Sequence, residues 1–159
     1  MAKAAKAVPD GYHTITPQLT LDNAAQTIDW YKRALGAEEE SRSAGPDGKI
    51  MHAELKIGNS RFMVNDVMTG TKGPQALGGS PASLWLYVEN SDALFNRAVG
   101  AGAKVQTPMD DQFWGDRAGA VADPAGYTWW IATRKEDLTK AEIQQRAAEF
   151  FKQMAQASH

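Results

Sequence analysis

The sequence predicts an α+β fold made of two βαβββ modules in tandem, followed by a C-terminal helix. Residues 19–23 align with residues 86–90, so that a strand end and a helix cap coincide in both halves. Gly58 and Gly126 each precede the last predicted strand of their half. Residues 68–81 lie between the halves and contain four glycines, which favours a linker. We expect the modules to form a cupped mixed sheet around a shared cavity.

The first module, residues 11–67, is expected to begin with a strand and a helix. Polar and apolar residues alternate over His13–Leu21, which is typical of a half-buried strand. Asn23 is predicted to cap the helix, with Gln26 at the spacing of a capping box, and Gly36 to end it. The module therefore starts with the βα part of its pattern.

A predicted hairpin completes this module. Lys49–Ile57 reads as a strand, Gly58-Asn59 as its turn, and Arg61–Asp66 as the returning strand. Alternation places His52 and Glu54 on one face of the first strand. This pair is a candidate general base with its orienting carboxylate, or part of a metal site, or two solvated side chains of a sheet face.

The second module, residues 82–137, repeats the pattern. Leu84–Glu89 reads as a strand, and Asn90 or Ser91 is expected to cap the following helix. Near its end, Pro124 and Gly126 predict a tight turn between two strands. Alternation after that turn sends the side chains of two adjacent tryptophans to opposite faces of a sheet.

The two ends of the chain lie outside these modules. Residues 1–10 read as a flexible leader without the apolar region of a signal peptide. Residues 138–159 predict an amphipathic helix that starts with a Thr139–Glu142 capping box and ends in a mobile His159. Its apolar stripe is expected to dock on the protein's own sheet or on a dimer partner, and consists of Ile143, Ala147, Phe150 and Met154.

Composition excludes several classes of protein. The formal net charge of −2 argues against nucleic acid as a partner. No apolar run reaches the roughly 20 residues needed to span a membrane, so we expect a cytoplasmic protein. The absence of cysteine rules out disulfides and thiolate ligands, so that a metal would need His, Asp, Glu or amide donors.

Motifs spread over residues 11–148 resemble those of the vicinal oxygen chelate superfamily, which includes glyoxalase I, extradiol dioxygenases and bleomycin-resistance proteins. The closer similarity is to its PhnB-like branch. The motifs are Ile15-Thr16-Pro17, Trp30-Tyr31, Leu35-Gly36, His52-Ala53-Glu54-Leu55, Gly78-Gly79-Ser80-Pro81, Gln112-Phe113-Trp114-Gly115-Asp116-Arg117 and Asp123-Pro124-Ala125-Gly126.

This resemblance implies a divalent metal held by the first and last strands of each module. The matching positions here, within about one residue of register, are Gln18, Phe62, Trp85 and Trp130. Only Gln18 among them could coordinate a hard cation. We therefore expect no metal cofactor at this set of positions.

The leading interpretation is a homodimeric protein that binds a planar or aromatic small molecule without metal chemistry. Its expected ligand-binding residues are Gln18, Phe62, Trp85, Tyr87, Trp114, Arg117 and Trp130. Asp116 and Arg117 also allow another interpretation, an ion pair that fixes a hairpin.

Two alternatives stay open. The first is a metal-dependent lyase, isomerase or dioxygenase that uses Gln18, His52 and Glu54 at a shifted site. The second is a scaffold whose cavity is filled by its own tryptophans.

Overall fold

The computed structural model describes residues 2–158 and confirms the two βαβββ modules. His159, which we expected to be mobile, lies outside the described residues, as does Met1 of the leader. The first module contains β1 (Gln18–Leu21), α1 (Ala24–Leu35), β2 (Glu38–Ala44), β3 (Ile50–Ile57) and β4 (Ser60–Asp66). After α2 (Pro74–Leu77), the second module contains β5 (Ser83–Tyr87), α3 (Ser91–Gly100), β6 (Lys104–Asp111), β7 (Asp116–Ala122) and β8 (Thr128–Arg134), and α4 (Lys140–Ala157) follows.

Each module forms its own four-stranded mixed sheet. The strand orders are β1-β4-β3-β2 and β5-β8-β7-β6. The first strand of each module pairs in parallel with its last strand, because the helix between them returns the chain to the same end of the sheet. The remaining pairs are antiparallel. The two sheets therefore have the same topology.

Strand β1 is shorter than the alternation predicts. It covers only Gln18–Leu21, whereas the pattern begins at His13. Pro17 has no N–H group, and the chain joins β4 at this point through the bond from Met63 N to the Pro17 carbonyl, at 2.9 Å. The residues before Pro17 consequently run outside the sheet.

Helix α1 has the predicted buried face but not the predicted cap. Tyr31 is fully buried, and Gly36 ends the helix with φ 69°. The Asn23 side chain makes no capping bond, so the expected capping box is wrong. Instead, Asp66 Oδ1 accepts from the backbone N–H of Ala24 at 2.9 Å. A carboxylate from β4 thus fixes the start of the helix across the module.

The modules share one core, in which three buried aromatic rings meet edge to face. Tyr31 of α1 packs against Phe62 of β4 at 5.7 Å between ring centroids, and against Trp129 of β8 at 5.4 Å. Phe62 and Trp129 are themselves 5.7 Å apart. Nearby, Trp30 Nε1 donates to the carbonyl of Ala101 at 2.8 Å, which joins α1 to the end of α3. The core therefore holds one module to the other.

Asp123 connects the turn before β8 to this core. Its Oδ1 accepts from three successive backbone N–H groups, at 2.9, 2.9 and 3.0 Å. Its Oδ2 accepts from Tyr31 Oη at 2.6 Å and from Trp129 Nε1 at 2.9 Å. Burial raises the pKa of this carboxyl, and the donors act in the opposite direction. The predicted turn is confirmed, with Gly126 at φ 99°.

Helix α4 begins as the sequence predicts and lies on the surface. Thr139 Oγ1 accepts from Glu142 N–H at 3.2 Å, and Glu142 Oε2 accepts from Thr139 N–H at 2.7 Å. Phe150 packs against Phe113 at 5.3 Å. Within residues 2–158, none of the helices is long and apolar enough to cross a membrane.

Candidate functional site

Four aromatic side chains form a cluster on the second module, which we call the aromatic platform: Trp85, Tyr87, Trp114 and Trp130. Trp85 and Trp130 stack almost in parallel, with centroids 4.8 Å apart and planes 5° apart. Tyr87 continues the Trp85 surface at 6.1 Å and 25°. Trp114 stands against Trp85 at 63° and 6.2 Å. The platform thus has a floor and one upright wall.

Strand register explains why these rings meet. Trp85 of β5 is the register partner of Trp130 of β8, so their side chains stand side by side on one face. Trp129 points the other way, into the core, as alternation predicts for two adjacent tryptophans. Ala120, the partner of Trp130 on β7, is small and leaves room beside the indole.

Two rings of the platform remain accessible. Trp85 is 39% exposed and Tyr87 is 62% exposed, although both are large aromatic residues. They lie in a cleft of about 680 Å³, a volume that suits a small molecule. The other walls come from the segment before β1 and from the β3–β4 hairpin, and include His13, Ile15, Pro17, Ile57, Asn59, Ser60, Arg61 and Phe62.

Strand β5 also offers backbone groups to this cleft, because it is the edge strand of its sheet. Val88 N–H donates to the carbonyl of Ala132 on β8 at 2.9 Å. Alternate residues of a parallel strand direct their N–H and C=O groups to opposite sides. The backbone groups of Trp85 and Tyr87 therefore face away from β8, towards the cleft, where a ligand can accept or donate hydrogen bonds.

Asp116 holds two rings of the platform. Its Oδ2 accepts from Tyr87 Oη at 2.9 Å and from Trp114 Nε1 at 2.8 Å. The residue is only 5% exposed. Burial, and then the hydrogen bond to Asp116, raise the pKa of Tyr87. The carboxylate therefore fixes both the exposed tyrosine and the upright tryptophan.

Arg117 lies on the opposite face of β7 and does not form the expected ion pair with Asp116. Its guanidinium binds both carboxylate oxygens of Asp92, at 2.7 and 3.0 Å, and Asp111 at 3.2 Å. The bidentate guanidinium lowers the pKa of Asp92. Neighbouring strand residues face opposite sides, which explains why adjacent residues in sequence have different partners. Arg117 does not line the cleft.

Phe62 does not join the platform. It is 4% exposed and belongs to the shared core, although it reaches the floor of the cleft. Gln18 pairs with Met63 in β4, just as Trp85 pairs with Trp130 in β8. Aligning Gly58 with Gly126 is therefore one residue out of register: β4 and β8 both begin two residues after their glycine, but Gln18 pairs one residue further along β4 than Trp85 does along β8.

The four positions that would hold the metal are Gln18, Met63, Trp85 and Trp130. This donor set does not fit a divalent cation, because an amide oxygen is its only hard ligand and the Met63 thioether is soft. The Gln18 Nε2 donates to Asn65 Oδ1 at 3.0 Å, so only its Oε1 could act as a ligand. Within residues 2–158, no three His, Cys, Asp or Glu residues are grouped as metal ligands.

His52 and Glu54 lie on β3 of the first sheet and do not line the cleft. His52 Nε2 is 3.6 Å from Glu54 Oε1, and Glu54 Oε2 accepts from Ser41 Oγ at 3.1 Å. The Tyr12 hydroxyl lies close to Glu54 and is the main cause of its lowered pKa, although no described partner meets hydrogen-bond geometry with that hydroxyl. Burial, followed by Glu54, raises the pKa of Tyr12 to about 12. Gln18 lies on β1, which β4 separates from β3, so its backbone is two strand spacings, about 9.5 Å, from that of Glu54.

The sequence interpretation missed the residues before β1 as a wall of the cleft. They were assigned to a strand because they alternate, and alternation does not reveal that Pro17 ends the pairing. Asp116 was considered only as a partner of Arg117. Its spacing of two residues from Trp114 was the available signal that it could bind that indole.

Comparison with known proteins is consistent with this fold. The family model described as the glyoxalase/bleomycin resistance protein/dioxygenase superfamily matches residues 12–131. An uncharacterized protein of Mycobacterium bovis is 44% identical over 135 residues, which cover 82% of this chain and 89% of that protein.

Two solved structures have similar folds. Protein PA1353 from Pseudomonas aeruginosa has a TM-score of 0.64 at 27% identity, covering 78% of this chain and 99% of its own. The PhnB protein from Bacillus cereus has a TM-score of 0.60 at 19% identity, covering 76% and 99%, which supports the PhnB-like resemblance at the level of the fold. The chain therefore belongs to the glyoxalase/bleomycin resistance protein/dioxygenase superfamily.

Proposed function

We propose that this protein binds a planar or aromatic small molecule by stacking on the aromatic platform, without metal chemistry. One observation carries the proposal: a stacked pair, Trp85 and Trp130, occupies positions where metal-dependent relatives would place ligands, and Trp85 is 39% exposed to the cleft. A metal site needs oxygen or nitrogen donors, whereas stacking needs flat apolar surface. The side chains at these positions are therefore suited to stacking.

The cleft supplies both parts of such a binding site. Trp85 and Tyr87 provide the flat surface, and Ile15 and Pro17 line the cleft from the segment before β1. Backbone groups of β5 at the same place can orient a polar edge of the ligand. Binding of this kind needs no covalent step.

The alternative of a metal-dependent lyase, isomerase or dioxygenase has weaker support. It requires Gln18, His52 and Glu54 to share an ion, but β4 separates Gln18 on β1 from the other two on β3, and Glu54 Oε2 accepts from Ser41. The alternative of a cavity filled by its own tryptophans is disfavoured by the 62% exposure of Tyr87.

We also propose that the protein acts as a homodimer. Support comes from large apolar side chains that are exposed to solvent in the single chain, among them Ile15 (86% exposed) and Met51 (57% exposed). Light scattering coupled to size-exclusion chromatography tests this directly. A mass near 35 kDa, twice the 17.3 kDa of one chain, is expected, and a mass of one chain at high concentration would refute it.

The proposed function is tested by thermal-shift screening with planar heteroaromatic compounds, followed by calorimetry on the compounds that raise the melting temperature. Trp85→Ala and Tyr87→Ala should each weaken binding by roughly tenfold, since stacking contributes about 0.5–1.5 kcal/mol beyond the area buried. Phe151→Ala is the matched control. Phe151 is also an exposed aromatic residue, at 61%, but its ring contacts Phe113 and Phe150 and does not belong to the platform. Equal losses in all three variants, or no binding by any compound, would contradict the proposal.

A further inference from the structure

Asp116 places a negative charge directly beside the platform. The carboxylate is 95% buried, and both of its hydrogen-bond donors, Tyr87 Oη and Trp114 Nε1, are neutral groups. Hydrogen bonds from neutral donors stabilise a carboxylate but leave its charge in place. The charge therefore remains effective at the rings that it holds.

Two of the cations near this carboxylate bind other carboxylates. Arg134 is its register partner on β8, but the guanidinium binds Asp137 at 2.9 Å. Arg117 faces the other side of the sheet, where it binds Asp92. Lys135 lines a surface depression together with Asp116. Within residues 2–158, no cation forms an ion pair with Asp116.

The exposed ring faces favour the same kind of ligand. The face of an aromatic ring is negative because of its quadrupole, and tryptophan attracts cations most strongly. Trp85 and Tyr87 present such faces to the cleft, and Trp114 contacts Trp85 at 63°. The hydrogen bond from Tyr87 to the carboxylate adds electron density to its ring.

We propose that the platform selects planar ligands that carry a positive charge, and that Asp116 is the residue that determines this selectivity. This inference rests on the proposed binding function and adds the chemical class of the ligand. Asp116 acts in two ways: it positions Tyr87 and Trp114 through hydrogen bonds, and its charge lowers the energy of a cation stacked on Trp85 and Tyr87.

Two probes of almost equal shape separate charge from stacking: N-methylquinolinium, which is cationic, and 1-methylnaphthalene, which is neutral. Calorimetry and the indole N–H resonances of ¹⁵N-labelled protein report their binding. We expect the wild-type protein to bind the cation roughly tenfold more tightly than the neutral probe. This factor combines the attraction of the Asp116 charge at about 6 Å in a partly hydrated site with the attraction of the ring faces for a cation. For the wild-type protein, raising the NaCl concentration should lower the affinity for the cation and leave the affinity for the neutral probe unchanged.

Asp116→Asn removes the charge and keeps an acceptor for Tyr87 and Trp114. It should reduce the affinity for the cation several-fold more than the affinity for the neutral probe. Asp29→Asn, which removes an exposed charge from the first module, is the control and should not change the preference.

The outcomes separate this inference from the function on which it rests. Equal affinity of wild type for both probes, or equal losses for both probes in Asp116→Asn, would overturn the inference and leave stacking intact. Binding of neither probe would overturn both. If Asp116→Asn does not fold, the salt dependence of binding of the two probes to wild type still tests the inference, because only the affinity for the cation should fall.

Discussion

Removing the Tyr31 hydroxyl should destabilise the whole chain, because that hydroxyl joins the two modules. Tyr31 is fully buried on α1, and its Oη donates to Asp123 Oδ2 at 2.6 Å. Tyr31→Phe deletes this hydroxyl and keeps the ring that packs against Phe62 and Trp129. The change therefore isolates one hydrogen bond between the modules.

The expected loss in the free energy of unfolding is about 2 kcal/mol, since a hydrogen bond to a charged group contributes roughly 1.5–3 kcal/mol and the site excludes the water that could replace it. For a chain of this size, that corresponds to a fall of roughly 4–8 °C in melting temperature. Urea titration followed by far-UV circular dichroism measures the free energy, and differential scanning calorimetry measures the melting temperature.

The pH dependence of this loss in unfolding free energy is a second test of the Tyr31–Asp123 hydrogen bond. Burial raises the pKa of Tyr31 well above its ordinary value, and the Asp123 charge acts in the same direction. The pKa of this hydroxyl is about 10 in the unfolded chain and higher in the folded protein, so its contribution to stability is fully present below about pH 10. That contribution is lost as the pH rises further. The difference between wild type and Tyr31→Phe should therefore shrink above about pH 10.

Tyr87→Phe is the matched control. It also deletes a tyrosine hydroxyl bound to an aspartate, Asp116 at 2.9 Å, but from a ring that is 62% exposed. Water can replace that bond, so the cost should be at most about 1 kcal/mol. If Tyr31→Phe costs no more than Tyr87→Phe, the bond to Asp123 does not hold the modules together.

Three further predictions follow from the ion pairs, the helix cap and the metal-ligand positions. Arg117→Gln should leave ligand affinity unchanged, because the guanidinium binds Asp92 and Asp111 on the other face of β7; a loss of affinity in calorimetry would contradict this placement. Thr139→Ala removes the cap of α4 and should cost about 1 kcal/mol locally, seen as roughly fivefold faster amide hydrogen exchange in its first turn, with unchanged exchange in the core. Chelator treatment should change neither the melting temperature nor ligand binding, since only Gln18 offers a hard ligand; a stoichiometric divalent ion in elemental analysis would refute that reasoning.

Local patterns predicted the two modules and the C-terminal helix, but not the short helix α2 within the linker. The Thr139 capping box and the turn at Asp123–Gly126 were predicted correctly because their hydrogen bonds lie within a few residues of sequence. The predicted cap of α1 was wrong: the Asn23 side chain makes no capping bond, and the contact that fixes the helix start comes from Asp66, at the other end of the module. Sequence spacing carries no information about a contact of that range.

The candidate site was predictable only in part, for a similar reason. Trp85, Tyr87 and Trp130 could be placed on one face because alternation along β5 and β8 fixes their directions. Phe62 was assigned to the same face, but Gln18 pairs one residue further along β4 than Trp85 does along β8, and a shift of one residue reverses the face of a side chain. The bond from Tyr87 to Asp116 could not be deduced, because the two residues are 29 positions apart in the sequence.

Indole resonances of ¹⁵N-labelled protein test the central claim most directly, because the five tryptophans divide between the platform and the core. During titration with planar heteroaromatic compounds, the Nε1–H signals of Trp85, Trp114 and Trp130 should shift to saturation. The signal of Trp30, which donates to Ala101 inside the protein and does not line the cleft, should not move. A shift confined to Trp30, or no saturable shift with any compound, would contradict a ligand stacked on the platform.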